Sequence, residues 1–237
     1  MYAGIGYFSL PALVHGKAKH VYCCEWNPDA VFALKYNLKQ NGVANRATVL
    51  AGDVRTTLME HQSQCLLSPG KLTTNKDCEM KTTMLEFDRI SLGLLPSSEG
   101  GWSTAVRFLR KDVGGWLHIH GNVPTLEKES WALWVCKKLY KIASIAGMGS
   151  EEVWGNDFVI LCHYVERVKS YAPNIEHFVA DIFLGPRLPY SLNVDMNRQR
   201  IGIIQTNGLF LPCPEQVKNP SCALGGVLHQ QWMINSQ

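Results

Sequence analysis

Two glycines one residue apart, Gly4 and Gly6, constrain this chain more than any other feature. In Met1-Tyr2-Ala3-Gly4-Ile5-Gly6-Tyr7-Phe8 they form a G-x-G turn. Backbone without Cβ atoms turns tightly there and lets a bulky ligand approach the main chain. The apolar run Ile5 to Val14 follows at helical spacing. A G-x-G that opens a helix is how doubly wound α/β folds seat a nucleoside ligand. Taken alone, the same residues describe an ordinary glycine turn before a helix, so the spacing downstream has to decide. Such a turn is expected to follow a buried strand, and this sequence starts at the turn.

The spacing continues the pattern. Ile5 to His15 reads as a helix with Pro11 inside it, so the helix is either kinked or late to start, and Gly16 suits its C-terminal end. His20 to Glu25 reads as a strand ending in an acid. Asn27 can cap a helix that begins at Pro28 and carries an apolar stripe through Ala30, Val31, Ala33, Leu34 and Leu38. Asn41-Gly42 ends that helix. Ala47 to Leu50 reads as a further strand, closed by Gly52-Asp53. Turn, helix, strand, helix, strand argues a parallel α/β sheet. Glu25 and Asp53 both end strands, and the ligand crevice of an open parallel sheet lies outside those ends. The two acids are therefore expected on one rim with the glycine turn.

Residues 56–86 break the rhythm with Ser, Thr, Lys, Gln, Pro69 and Gly70. They read as a disordered surface insertion with one helical turn near Leu58 to His61. Phe87 to Pro96 reads as a strand running into a proline turn, Trp102 to Leu109 as a helix, Trp116 to His120 as a strand and Leu126 to Ile145 as a longer helix. Phe158–Val168 and Phe178–Leu184 are expected to form an antiparallel hairpin at the sheet edge. Residues 188–237 have one clear apolar run, Ile201 to Ile204, and read as a poorly structured tail. The expected division is a domain over 1–187, interrupted at about 56–86, and a tail over 188–237.

Composition narrows the class. A content of 46% hydrophobic and 18% charged residues supports a sizeable core. A formal net charge of +3 is compatible with nucleic-acid binding without requiring it. The eight cysteines form no C-x-x-C and no zinc-finger spacing, which argues for a reducing compartment without disulfides. No apolar run approaches the ~18 residues of a membrane span, and no signal peptide is visible. A cytoplasmic location without membrane contact is expected.

Glu25 follows Gly6 at the interval of about 20 residues at which a strand-end acid accepts hydrogen bonds from ribose hydroxyls. Otherwise it is a solvated strand-end carboxylate. Asp53 can accept from an exocyclic adenine amine while the next backbone N–H meets a ring nitrogen, or it can cap a helix starting at Val54; the two roles are compatible. Leu94-Leu95-Pro96-Ser97 is either a plain strand-ending turn or a turn exposing main-chain groups to a substrate ring. His118 and His120 share a strand face but lack a third metal ligand, so no metal is expected. Core packing or a loop hydrogen bond accounts for them, with a role near substrate as the other reading. Arg107, Arg110, Lys111, Lys137, Lys138, Lys141, Arg167 and Lys169 form a solvated basic face or a phosphate-contacting surface for RNA.

Several stretches together resemble one family. Met1 to Phe8, Cys24-Glu25-Trp26-Asn27-Pro28, Asn41-Gly42-Val43, Gly52-Asp53, Arg89 to Ser98, Gly115 to His120 and Val168 to Pro173 are similar to the eukaryotic tRNA wybutosine-synthesising protein 2 family. These are aminocarboxypropyltransferases related to the tRNA guanine-N1 methyltransferases. The resemblance spans about 1–186 apart from the insertion. It implies a class I S-adenosylmethionine-dependent methyltransferase (Rossmann-like) α/β fold, here with the first strand largely missing and a C-terminal tail added. It implies S-adenosylmethionine as group donor and tRNA-Phe as partner, modified at position 37 in wybutosine biosynthesis. By position it assigns donor binding to Tyr2, Ala3, Gly4, Gly6, Glu25, Trp26, Asp53, Val54 and Leu94, with Glu25 on the ribose and Asp53 and Val54 on the adenine. Pro96 and Ser97 would line the reaction site. The group expected to move is 3-amino-3-carboxypropyl, with methylthioadenosine leaving, and catalysis would come from orientation. The family's N-terminal region has no counterpart here, the insertion is longer than expected, and the tail matches nothing in it. Two other readings stay open: a guanine-N1 methyltransferase, which would carry Asn-Leu-Pro where this chain has Leu94-Leu95-Pro96, and an inactive truncated product that binds RNA.

Overall fold

The computed structural model describes residues 1–67, 84–146, 154 and 158–186, and the backbone of two short strands at 202–204 and 210–211. It divides into two compact units, Met1–Glu86 and Phe87–Gln237.

In the first unit α1 (Ser9–Val14), β1 (Val21–Glu25), α2 (Pro28–Gln40), β2 (Ala47–Ala51) and α3 (Val54–Leu67) alternate as the pattern predicts. β1 and β2 pair in parallel, from Val21 opposite Ala47 to Glu25 opposite Ala51. α1 starts late rather than kinking. Pro11 therefore falls in its first turn, where a missing N–H forfeits no helical bond. The Gly16 N–H closes the helix on the Pro11 carbonyl at 2.9 Å. Asn27 caps α2 by accepting from the Asp29 N–H, with Pro28 at the first helical position. Leu13, Leu34, Leu38, Cys23 and Val43 form the core, with Leu10, Val21, Ala47 and Val49 packed around it. Each fully buried leucine contributes about 1.5–3 kcal/mol of transfer free energy, which fixes both helices on the sheet.

The reading of residues 56–86 as a loop with one helical turn needs correction at its start. α3 runs unbroken from Val54 to Leu67. Val54, Leu58 and Gln62 are its buried residues, four apart, and a polar member in that stripe masks the periodicity. The disorder expected further on falls on 68–83, outside the described residues.

The second unit holds β3 (Arg89–Leu92), α4 (Trp102–Phe108), β4 (Gly115–Pro124), α5 (Lys128–Ala146), β5 (Phe158–Ala172), β6 (Ile175–Pro186), β7 (Gly202–Ile204) and β8 (Phe210–Leu211). They form a sheet of order β3-β4-β6-β5-β7-β8, in which only β3 and β4 run parallel. The antiparallel β5–β6 hairpin is present, turning at Pro173-Asn174, but it is not at the edge. β6 lies between β4 and β5, and β7 pairs the outer side of β5, with Ile204 opposite Ile160. From Ile160 to Cys162 the outer side of β5 is thereby paired rather than open.

Side chains alternate between the two faces of β4, with His120 buried as well. Leu117, Ile119 and Val123 are buried with Gly121, whose missing Cβ would stand 2.7 Å from the Trp131 ring of α5. The opposite face of β4 presents Trp116, His118, His120 and Asn122, as the two-residue period of a strand requires. Among the described residues no helix is long and apolar enough to cross a membrane.

Candidate functional site

In the first unit the opening loop lies against the carboxyl end of β1. The Ala3 N–H donates to the Cys24 carbonyl at 2.9 Å, and the Gly52 N–H donates to the Glu25 carbonyl at 2.9 Å. Tyr2, Gly4 and Gly6 all have positive φ, at 58°, 55° and 108°. The glycines serve different purposes. A Cβ at Gly6 would stand 3.1 Å from Leu10 and Leu34, so this residue is glycine in order to pack. A Cβ at Gly4 would meet nothing within 4 Å, so the main chain there is open to an approaching group.

Glu25 organises the loop. Its carboxylate is buried and accepts from the backbone N–H groups of Gly4 at 2.8 Å, Trp26 at 3.0 Å and Asn27 at 2.9 Å. A carboxylate that gathers three N–H groups ties the glycine loop, the end of β1 and the start of α2 into one piece. The solvated strand-end alternative does not describe it. Trp26, beside it, is 76% exposed. Asn37 of α2 adds a second tether, donating from its side chain to the Ile5 carbonyl at 2.9 Å.

Asp53 stands in front of α3 and fills the capping role. Its Oδ1 accepts from the Arg55 N–H at 2.9 Å, and its carbonyl accepts from the Thr57 N–H at 2.9 Å. The Arg55 guanidinium also binds its carboxylate, through Nε at 3.0 Å and 2.9 Å. These hydrogen bonds hold the Asp53 carboxyl down at about 2. Burial pushes the Tyr2 phenol up, and the Asp53 charge adds to it. Tyr2, Ala3, Gly4, Gly6, Glu25, Trp26, Asp53 and Val54 thus gather at the carboxyl ends of β1 and β2. Sequence reasoning passed over Arg55 and Asn37. The two-residue Asp53–Arg55 interval signals the first; nothing in the sequence signals a tether from Asn37 to a carbonyl.

Leu94, Pro96 and Ser97 belong to the second unit. They follow β3 in a turn whose Leu95–Pro96 peptide is cis. Ser97 bridges Gly121, and the Asn122 N–H donates to the Pro96 carbonyl at 3.2 Å, so the turn continues alongside β4. Ser97 Oγ accepts from the Glu99 N–H at 3.2 Å. Buried Ser98 receives the indole N–H of Trp102 at 3.0 Å, anchoring the turn to α4.

The histidines of β4 are paired across the sheet. His118 Nδ1 lies 2.6 Å from Asp181 of β6, and its Nε2 lies 3.4 Å from Arg89 of β3. His120 Nδ1 lies 2.9 Å from His177 Nε2. Burial, then the neighbouring His177 and His118, bring His120 down to about 4. Among the described residues no three His, Cys, Asp or Glu side chains come together as a metal-binding group.

The chain is similar to several known proteins. Residues 1–69 match the model of the TRM5/TYW2 methyltransferase domain. The Arabidopsis thaliana tRNA wybutosine-synthesizing protein 2/3/4 is 42% identical over 182 residues, which are 77% of this chain and 15% of that protein. The Danio rerio tRNA wybutosine-synthesizing protein 2 homolog is 37% identical over 212 residues, covering 78% of this chain and 45% of the relative. The chain is homologous to tRNA wybutosine-synthesizing protein 2. M. jannaschii TYW2, solved in complex with AdoMet, superposes with a TM-score of 0.55 at 25% identity, covering 78% of this chain and 67% of that one. The fold is the S-adenosylmethionine-dependent methyltransferase type. This chain spans less than half the length of the two curated relatives named.

Proposed function

We propose that this chain binds S-adenosylmethionine at the Gly4–Glu25–Asp53 rim. We propose further that it transfers the 3-amino-3-carboxypropyl group to the modified guanosine, 4-demethylwyosine, at position 37 of tRNA-Phe, a cytoplasmic step of wybutosine biosynthesis. The observation that carries the reading is the open main chain at Gly4, pinned by Glu25 at the end of a parallel strand. A ligand can come within contact of that backbone because no side chain fills the space a Cβ would take. Residues 1–187 act as the transferase domain in this reading, and 188–237 as a tail.

The residues act in different ways. Glu25 works mainly as a strut, with Oε1 taking two N–H groups and Oε2 one. A carboxylate oxygen accepts two hydrogen bonds, so Oε2 can also take one from a ribose hydroxyl. Arg55 keeps Asp53 ionised and oriented to accept from an exocyclic amine, while the Val54 backbone meets the ring. In this reading Leu94 contacts the donor, and Pro96 and Ser97 line the reaction site. The donor's sulfonium supplies the leaving group, and orientation of its Cγ toward the nucleophile supplies the rate.

Two measurements test this. Calorimetry with S-adenosylmethionine is expected to give saturable heat, and the absence of heat at millimolar donor overturns the enzyme reading. Incubation with precursor tRNA-Phe, then nucleoside mass spectrometry, is expected to show the aminocarboxypropyl mass gain. A methyl-sized gain overturns the choice of group.

A further inference from the structure

Two large aromatic rings on α2 of the first unit face water. The helix buries Val31, Leu34 and Leu38. On another side of it Phe32 is 76% exposed and Tyr36 58% exposed. Lys35 and Lys39 are exposed as well. Each ring thus has a lysine three residues on, in two consecutive aromatic-x-x-Lys steps. At 3.6 residues per turn the four positions fall in one sector of about 100°. Neither ring serves the helix itself. Phe and Tyr are poorer helix formers than Ala, and a ring left in water contributes no burial energy.

The stripe starts at the proposed donor rim. Glu25 accepts from the Asn27 N–H at 2.9 Å, and Asn27 caps α2, so the N-terminal end of the helix belongs to that rim. The exposed ring of Trp26 stands at the same end. With a rise of 1.5 Å per residue, Phe32 lies about 6 Å and Tyr36 about 12 Å along the axis from Pro28. The acid of this sector, Asp29, sits in the first turn, and both lysines lie beyond Phe32. Positive charge therefore grows with distance from the rim.

We propose that this face of α2 is a platform for single-stranded RNA. Two bases stack on Phe32 and Tyr36, and Lys35 and Lys39 meet the adjoining phosphates. The strand is the one that carries the acceptor base, and in that respect the assignment rests on the transferase reading above. The residue types select this occupant. A single strand offers a flat apolar base and an anion at every step, and aromatic rings interleaved with cations are its complement. A protein interface is a poorer match, because lysine is depleted there. A bilayer takes a continuous apolar face, and the aliphatic residues of α2 are committed to the core.

The test is fluorescence anisotropy of the whole chain with a labelled, unstructured RNA of about 15 nucleotides, titrated at several salt concentrations. Phe32→Ala and Tyr36→Ala are each expected to weaken binding by about tenfold, the size of one base–aromatic stack. Lys35→Gln and Lys39→Gln are each expected to lower the slope of log affinity against log salt by ~0.7, the value for one phosphate of a single strand. Calorimetry with S-adenosylmethionine is expected to give wild-type donor affinity in all four variants. A double Phe32→Ala, Tyr36→Ala variant within threefold of wild-type RNA affinity overturns the assignment. So does a wild-type chain with no RNA affinity up to about 100 μM, the weak end of non-specific binding. A double variant that keeps its RNA affinity but loses self-association in sedimentation, or loses binding to phosphatidylserine vesicles, gives the face to a second copy or a membrane and overturns it equally. RNA binding needs no donor, so the two readings fail separately. Ring-dependent RNA affinity without donor heat overturns the donor assignment and leaves the platform standing. Donor heat with RNA affinity indifferent to the rings overturns the platform alone.

Discussion

Glu25 in the first unit and the side-chain amide of Asn122 in the second are both enclosed, yet they are satisfied in opposite ways. The Glu25 carboxylate draws in three backbone N–H groups, and every donor it touches belongs to a segment whose path it fixes. Asn122 commits its backbone N–H to the Pro96 carbonyl, while both side-chain atoms stay unpaired. The first arrangement shapes a binding surface out of main chain. The second leaves an enclosed side-chain amide unpaired beside a turn. A surface that must present a fixed backbone gains from saturated hydrogen bonding, whereas an enclosed amide without partners detracts from stability.

The comparison breaks most readily at Glu25. Glu25→Ala removes the acceptor of three N–H groups, and hydrogen bonds to a charged partner contribute about 1.5–3 kcal/mol each. With water recovering part of that, a loss of about 3 kcal/mol is expected in urea denaturation. A loss below about 1 kcal/mol would show that the loop does not depend on its strut. Asn122→Leu should move stability the other way. It replaces an unsatisfied buried amide by an apolar group of similar size, and a gain of about 1 kcal/mol is expected. Destabilisation by more than that amount in the same assay would mean the amide is paired after all.

The smallest effect concerns Asp53. Its carboxyl is held at about 2 by Arg55, below the ordinary value of about 3.9 for an unfolded chain. A depressed carboxyl stabilises the fold above the unfolded value and ceases to do so as pH falls through the folded one. The difference in Tm between wild type and Asp53→Ala should therefore be steady above pH ~5 and shrink between pH ~4 and ~2. Both partners are exposed, so the shift is modest, and a gap that stays constant down to pH 2 would show that the ion pair is immaterial.

Much of the first unit was legible because its signals are local. Asn27-Pro28 sets a cap, Gly42 at φ 67° ends the same helix, and Gly4 and Gly6 need positive φ. Each depends on residues a few positions apart. The start of the insertion was misread because α3 places a polar residue, Gln62, in its buried stripe, so a helix looks like a polar loop. The hairpin position was misread because a strand's neighbours are chosen by distant chain. β7 comes from a segment with little more than Ile201 to Ile204 to mark it.

The candidate site divides in the same way. Residue types and intervals pointed to Gly4, Gly6, Glu25 and Asp53 before any coordinates, since a nucleoside site needs a glycine turn and strand-end acids at set separations. The sequence determined the alternation of helices and strands in Met1–Ala51, the caps, and the glycines that open the chain. Only the tertiary structure decided that Glu25 spends its carboxylate on the Gly4 loop, and that His177 lies across from Asn122. Hydrogen bonds of that kind join residues far apart in sequence. A carboxylate's choice between a ligand and its own backbone depends on which donors the folded chain brings within 3 Å, as with Gly4, whose N–H reaches Glu25 at 2.8 Å.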